Sequence, residues 1–229
     1  WINEGVLNIA SAGTSADGIL GTNRSWVDGA VIGPQGTLLL STTSDATIRE
    51  WFTFRGQGYE GGGTIRTTGT ARTYRFAGQL FLEDDVLINS KNASGVRFNE
   101  SGGTMYGSGD IIKLGSSSLY FYGNSPDWTG SVYNASHTLY FGSAGNLGGM
   151  GSLTLNRNTL VYLLTGSTTY NEFRDRLPDA LPIYTNGYVR LRQDATGGVY
   201  SGVEKVGTAT VVGGQLGLEF NLGADLVGG

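Results

Sequence analysis

Cysteine is absent from the 229-residue sequence. Its absence excludes disulfide bonds, cysteine-based zinc sites and a thiol nucleophile. A large extracellular protein without disulfides fits a bacterial exported chain, because many such chains cross membranes unfolded and a disulfide would hinder passage. The missing cysteines therefore favour a bacterial, exported chain, although many cytoplasmic proteins also lack cysteine.

Charge, histidine and proline are also scarce. Charged residues make up 15% of the sequence, the net charge is −4, and there is one histidine. Without a basic stripe to neutralise phosphates, we expect no nucleic-acid partner. No apolar run approaches the roughly 20 residues that a membrane helix needs, so we expect no membrane span in this segment. Only 4 prolines accompany the glycines, which excludes collagen.

Glycine is abundant instead, with 39 residues, more than twice the roughly 7% of an average protein. Hydrophobic residues make up 39% and aromatic residues 11%, enough apolar surface to offset the entropy cost of ordering the chain. Glycine supplies the positive-φ positions of tight turns, and β-branched and aromatic residues suit half-buried strands. The composition therefore predicts an all-β chain of short strands joined by tight turns.

Short apolar pieces of similar composition recur along the chain, bounded by Gly, Asn, Asp or Ser. The clearest begin at residues 37, 80, 119, 139 and 160, and the last three are evenly spaced at about 20. A period near 20 in a glycine-punctuated all-β chain predicts a β-solenoid, in which each coil adds two or three strands to parallel sheets. An antiparallel sandwich or barrel is the alternative all-β fold. The one stretch with helical character is residues 169–177, which ends before Pro178.

Several phrases follow one another in the second half of the chain. Residues 115–124 read GSSSLYFYGN, residues 128–130 read WTG, and further phrases lie at residues 138–148, 151–160, 175–179 and 203–207. Together they resemble the autotransporter-associated β-strand repeat, whose G-x-G-x-L-x-L-x-G-N phrase is similar to residues 115–124 and whose aromatic-Thr-Gly step is similar to residues 128–130. The match is clearer over residues 104–229 than over residues 1–103.

The resemblance implies a right-handed parallel β-helix with about 20 residues per coil, as carried by exported proteins of Gram-negative bacteria. We expect residues 1–229 to form one continuous solenoid segment of a longer protein, because the sequence begins at Trp1 without Met and ends at Gly229 within a strand-and-turn pattern. The expected function is a structural or adhesive stalk, fibre or sheath, extracellular and either anchored to the outer membrane or secreted. Expected partners are neighbouring coils, copies of itself, and host or matrix glycans or proteins.

The sequence offers little chemistry for an enzyme. A Ser-His-Asp triad would have to use His137, which lies in a predicted turn, and no Gly-x-Ser-x-Gly elbow is present. The glycine-rich residues 56–63 and 142–151 lack the Gly-Lys-Ser/Thr ending of a phosphate loop, and we interpret them as coil corners. We therefore predict neither catalysis, nor a cofactor, nor a metal site.

A polysaccharide-binding or polysaccharide-cleaving β-helix, such as a surface enzyme or a phage tail spike, is the alternative function. Such enzymes place several carboxylates on one outer sheet. The candidate polar cluster and its basic partners are Glu83, Asp84, Asp85, Asn89, Lys91, Asn92, Arg97 and Lys113. Adjacent strand residues point to opposite faces, so Asp84 and Asp85 line one site only if they sit in a turn. We favour the interpretation that they form a charged turn between two strands.

Aromatic side chains are the remaining candidates for a binding surface. Alternate residues of the clusters 51–54 and 120–122 should face outward, where Tyr or Trp rings stack on sugars or contact another chain. The predicted glycan or lateral protein contacts are Trp51, Phe54, Tyr120, Tyr122 and Trp128. In the alternative, one ring of each cluster packs inside and the other covers the outer sheet against water.

Overall fold

The chain folds as a parallel β-solenoid of about six turns in a computed structural model. The structure describes residues 1–11, 20, 29–68, 71–91, 95–142, 147–156, 159–164, 177–194 and 207–221. Within these ranges every strand pairs with its neighbours in parallel. The predicted all-β solenoid is therefore confirmed, and the antiparallel sandwich or barrel is wrong.

Most strands are three to five residues long, as expected where glycine and polar residues punctuate the sequence. Two single 3-10 turns, Tyr59–Gly61 and Glu100–Gly102, interrupt them. The strands are β1 (Ile2–Ile9), β2 (Ala30–Leu40), β3 (Ala46–Ile48), β4 (Phe52–Phe54), β5 (Ile65–Thr67), β6 (Thr73–Phe76), β7 (Leu80–Leu82), β8 (Val86–Ser90), β9 (Gly95–Phe98), β10 (Met105–Gly107), β11 (Ile111–Gly115), β12 (Leu119–Phe121), β13 (Val132–Asn134), β14 (Thr138–Phe141), β15 (Leu153–Leu155), β16 (Thr159–Leu164), β17 (Ile183–Asp194) and β18 (Ala209–Asn221).

The strands stack into three ladders that run along the solenoid axis. Face A contains the start of β2, then β4, β7 and β10. Face B contains β1, the end of β2, β5, β8, β11, β13, β15 and the starts of β17 and β18. Face C contains β3, β6, β9, β12, β14, β16 and the ends of β17 and β18. The chain visits the faces in the order A, B, C in each central coil.

The coil length matches the predicted period in the part of the chain where that period is clearest. Leu119 pairs with Leu139, and Leu139 pairs with Val161, so these coils return to register at close to the expected spacing. Leu153 pairs with Ile183, which is a longer step. A solenoid tolerates this because only the strands must return to register, while the connections lie outside the ladder. Residues 169–176 of the predicted helical stretch lie outside the described residues.

The core is formed by alternate residues that point into the coil, which gives most short strands a buried–half-buried–buried pattern. On face C these inward residues include Phe76, Phe98, Phe121 and Phe141, one from each successive coil. Their ring centroids are 5.4, 6.0 and 5.4 Å apart in that order. A phenylalanine column therefore runs along the solenoid axis and ties four coils together.

Glycine at the end of β11 permits close approach of two coils. Gly115 has φ +85, and a Cβ there would lie 2.0 Å from the carbonyl oxygen of Ser90 in the preceding coil. We expect Gly115→Ala to lower the free energy of unfolding by at least about 2 kcal/mol, because it adds backbone strain and a clash. Gly102→Ala is the matched control, since Gly102 has φ +94 and open space around its Cβ position. Urea unfolding would contradict the prediction if both variants lost the same free energy.

Candidate functional site

A groove of about 440 Å3 lies on the outer surface of face A. Its floor is a row of outward side chains from four successive rungs, which the register places side by side: Val31, Thr53, Phe81 and Tyr106. Its other lining residues are Trp1, Arg55 and Glu83. The groove therefore combines aromatic and aliphatic surface with charged side chains.

Arg55 and Glu83 form one edge of this groove. Each residue directly follows its strand on face A, β4 for Arg55 and β7 for Glu83, and these strands are adjacent rungs. The Arg55 Nε donates to a carboxylate oxygen of Glu83, and this bond holds the pKa of Arg55 above its ordinary value. The guanidinium carbon of Arg55 also lies 5.4 Å from the ring centroid of Trp1. The two charges offset each other, so this edge is polar without a net charge.

This combination suits a sugar ring. Aromatic surface covers the C–H face of a pyranose, and paired guanidinium and carboxylate groups supply donors and acceptors for its hydroxyls. Trp1 is 78% exposed, so its ring is accessible to a ligand. Sequence reasoning does not select Trp1, Arg55, Phe81 or Tyr106. The signal in the sequence is the outward position of Phe81 between Leu80 and Leu82, together with Tyr106 one coil later.

The aspartates of the predicted acidic cluster stabilise a corner of the solenoid. Asp84 and Asp85 lie in the turn between β7 and β8, as the turn interpretation predicts. Asp84 Oδ1 accepts the backbone N–H of Asp85 at 2.9 Å, and Asp85 Oδ1 accepts that of Asp110 at 3.2 Å. In the next coil Asp110 Oδ1 accepts the N–H of Ser131 at 2.7 Å. Asp85 and Asp110, each just before a face B strand, therefore link the three successive coils that contain β8, β11 and β13.

The other members of the predicted polar cluster are dispersed. Asn89 Nδ2 donates to the carbonyl oxygen of Gly62 at 3.1 Å, and Lys91 is exposed. Arg97 lies on the outer surface of face C, and Lys113 points into the core. The prediction that Arg97 and Lys113 are basic partners of the acidic cluster is wrong, because the alternation of the strands directs their side chains to other surfaces. Asn92 lies outside the described residues.

Lys113 is a fully buried lysine, with 0% of its surface exposed. Its Nζ donates to the carbonyl oxygens of Gly115, at 3.1 Å, and Ser136, at 2.8 Å. Burial in the core lowers the pKa of Lys113 to about 8. Hydrogen bonds to two neutral carbonyls offset only part of the cost of removing this charge from water.

His137 lies in a turn before β14, in the left-handed conformation with φ 68. It is exposed, and partial burial followed by the nearby charge of Lys113 lowers its pKa. Its Nδ1 is 3.4 Å from Ser118 Oγ. Within the described ranges, no three His, Cys, Asp or Glu side chains are grouped so that they would hold a metal ion.

Two of the five aromatic residues predicted as surface contacts are buried, so the prediction is wrong for them. Phe54 and Trp128 both have 0% of their surface exposed. Phe54 shares the inward face of β4 with Phe52, because alternate residues point the same way. Trp128 fills a corner, where it bridges to Gly107 and its Nε1 donates to Gly109 O at 3.0 Å. Trp51 is half-buried just before β4.

Tyr120 and Tyr122 lie on the outer surface of face C, as predicted, but their rings stack on other side chains. Tyr120 stacks on Tyr140 with centroids 4.3 Å apart and planes 6° apart. Tyr122 stacks on Tyr120 at 5.8 Å, and the guanidinium of Arg97 lies 5.0 and 5.3 Å from these two rings. The stack occupies the faces of Tyr120, which leaves the groove on face A as the better candidate for sugar stacking.

Comparison with known proteins yields no relative of this chain. The chain matches no protein-family model, no curated protein and no solved structure. In the described part of the chain, no helix is long and apolar enough to cross a membrane. The structure establishes the fold of this chain, which is a parallel β-solenoid.

Proposed function

We propose that this chain is a rod-like segment of a structural or adhesive cell-surface protein. The observation that carries the proposal is the continuity of the ladders, since faces B and C pair in register from β2 to β18. The resemblance of residues 104–229 to autotransporter-associated repeats and the absence of cysteine support an extracellular, Gram-negative setting.

The mechanical basis of this function is the direction of the backbone hydrogen bonds. In a solenoid they run along the rod axis, so each coil is held to the next by the same kind of contact. The nine face B strands among the described residues, at roughly 4.8 Å from one rung to the next, give a rod about 40 Å long. Such a rod holds a distal binding region away from the surface or packs against neighbouring rods, and it needs no catalytic site.

Insertion of additional coils tests the rod function. Residues 132–152 make one coil, because Val132 pairs with Leu153. Three additional copies in tandem should lengthen the particle by about 14 Å and should raise the free energy of unfolding. Small-angle scattering would measure the particle length, and urea unfolding would measure the free energy of unfolding. Adhesion of cells that display each version would measure how far the rod extends from the surface.

Deletion of residues 132–137 is the matched control for this experiment. It removes β13 but leaves β14, so face B loses a rung that face C keeps. This variant should unfold at lower urea concentration than the parent chain. Insertions that leave the length unchanged, or that unfold as easily as the deletion, would show that the coils are not additive units of a rod.

A glycan-binding function is the second candidate, and the groove on face A favours it. Glycoside cleavage uses two carboxylates, whereas Glu83 is the one carboxylate among the described residues that line the groove. The groove therefore supports binding of a glycan rather than its cleavage.

Titration with neutral oligosaccharides tests the groove. Phe81→Ser should weaken binding by about tenfold or more, because it removes aromatic surface from the floor. Tyr133→Ser is the matched control, since Tyr133 is an exposed aromatic residue on the outer surface of face B. Equal affinity of both variants, with both still folded, would reject the groove as the binding site.

A further inference from the structure

Tyr120 and Tyr140 bring two phenol rings from adjacent coils into contact on the outer surface of face C. They occupy the same register position on β12 and β14, so their separation is set by the spacing of the strands. The ring centroids are 4.3 Å apart and the planes differ by 6°. The guanidinium carbon of Arg97 lies over the Tyr120 ring, 5.0 Å from its centroid, and both tyrosines are half-buried. The pair is therefore held in one arrangement.

No disulfide can join one coil to the next, because the chain has no cysteine. Backbone and side-chain hydrogen bonds, ion pairs and packing are the contacts between the described coils, and all of them are reversible. The stacked phenols of Tyr120 and Tyr140 can instead form a covalent link between coils when they are oxidised.

We propose that Tyr120 and Tyr140 are an oxidative cross-linking site, at which a one-electron oxidant couples the two rings through a Cε–Cε bond. Each phenol loses one electron and its hydroxyl proton, which gives two phenoxyl radicals with spin density on the ring carbons next to the oxygen. The two radicals form the carbon–carbon bond. The hydrogen on each bonded carbon then leaves as a proton while the phenol oxygen regains one. In total two electrons pass to the oxidant and two protons to water.

The structure favours this pair over Tyr122 and Tyr133, the other two tyrosines between Lys113 and Arg157. Tyr122 also stacks on Tyr120, but the two ring centroids are 5.8 Å apart and Tyr122 lies two residues further along the same coil. Tyr133 lies on face B. Gly95 leaves space beside the Tyr120 ring, since a Cβ at Gly95 would lie 3.1 Å from its Cε2 atom. In-register stacking places the Tyr120 and Tyr140 rings face to face with centroids 4.3 Å apart, closer than the 5.8 Å between Tyr120 and Tyr122.

The bond would staple coils that are otherwise joined by weak contacts. It closes the stretch of chain from Tyr120 to Tyr140 into a covalent loop that spans the coils containing β12 and β14. A cross-link over one coil should raise the melting temperature by roughly 5–10 °C, because it restricts the unfolded chain.

The test is oxidation of the dilute folded protein with photo-oxidised tris(bipyridyl)ruthenium and persulfate as the electron acceptor. Trypsin cuts after Lys113 and Arg157, which leaves both tyrosines in one peptide, and an aspartate-directed protease then cuts before Asp127 between them. Residues 114–126 and 127–157 should remain joined, with the loss of two hydrogen atoms and with dityrosine fluorescence. Fragmentation by mass spectrometry would assign the bond to Tyr120 and Tyr140.

Phenylalanine variants separate this assignment from general tyrosine oxidation, because they keep the rings and the fold. Tyr120→Phe and Tyr140→Phe should each reduce the joined product by about tenfold, since the reactive pair is lost. Tyr122→Phe and Tyr133→Phe are the matched controls in the same two peptides, and each should change it by less than about twofold. A bond assigned to any other tyrosine pair, predominantly intermolecular product, or no joined peptide under complete oxidant turnover would each overturn the proposal.

Discussion

Phe98→Ala should lower the free energy of unfolding by about 4 kcal/mol. Phe98 is completely buried and lies in the middle of the phenylalanine column, 5.4 Å from Phe76 and 6.0 Å from Phe121. Removing its ring takes apolar surface out of the core and leaves a cavity. The strands on either side are fixed by register pairing, so the cavity cannot collapse easily. The loss should therefore lie near the upper end of the range for such substitutions.

Urea unfolding followed by circular dichroism would measure this loss. Phe81→Ala is the matched control, because Phe81 is also in the middle of a three-residue strand but points to the outer surface. It should cost about 1 kcal/mol, since a half-buried ring that leaves the surface creates no enclosed cavity. Similar losses in the two variants would show that the inward column does not carry the stability.

The stability of the wild-type protein should rise by about 2 kcal/mol between pH 7 and pH 10 because of Lys113. Burial lowers the pKa of Lys113 to about 8 from an ordinary value of 10.5. Between these two values the unfolded chain binds a proton that the folded chain has released, so raising the pH favours folding. Below pH 8 both states carry the charge, and the folded state bears the cost of its burial.

Lys113→Met tests this assignment, because Met has a similar shape and does not titrate. The variant should lose the rise in stability, while Lys91→Met should keep it, since Lys91 is exposed. Starting at pH 7 keeps the measurement above the range of His137, whose pKa is lowered by partial burial and by Lys113. If Lys113→Met keeps the same rise, the lysine is not the group responsible.

Much of this fold can be predicted from the sequence because a solenoid makes the same contacts in every coil. Leu119, Leu139 and Val161 occupy one position in three coils and are apolar for the same reason. The repeat period is therefore visible without knowledge of the structure. Where connections are longer, as between Leu153 and Ile183, the period is obscured although the ladder continues.

The candidate site was largely beyond sequence reasoning because it joins residues from different coils. Arg55 and Glu83 are 28 positions apart and meet because their strands are adjacent rungs. Neither residue has a neighbour in the sequence that indicates this pairing. Trp1 also lines this groove, although it is more than 50 positions from Arg55 in the sequence. In the sequence, Glu83 follows Phe81 by two positions. This spacing fits a charged turn as well as a groove, so it does not predict the groove.

The sequence by itself determined the fold class, the coil length in the central part of the chain, and the absence of disulfides. These properties follow from composition and from a local alternation that is repeated at a fixed interval. Only the tertiary structure decided which aromatic rings face inward, that Phe54 and Trp128 are buried, and that Lys113 lies in the core. The physical reason is that inward and outward positions depend on where each strand begins, and a shift of one residue exchanges them.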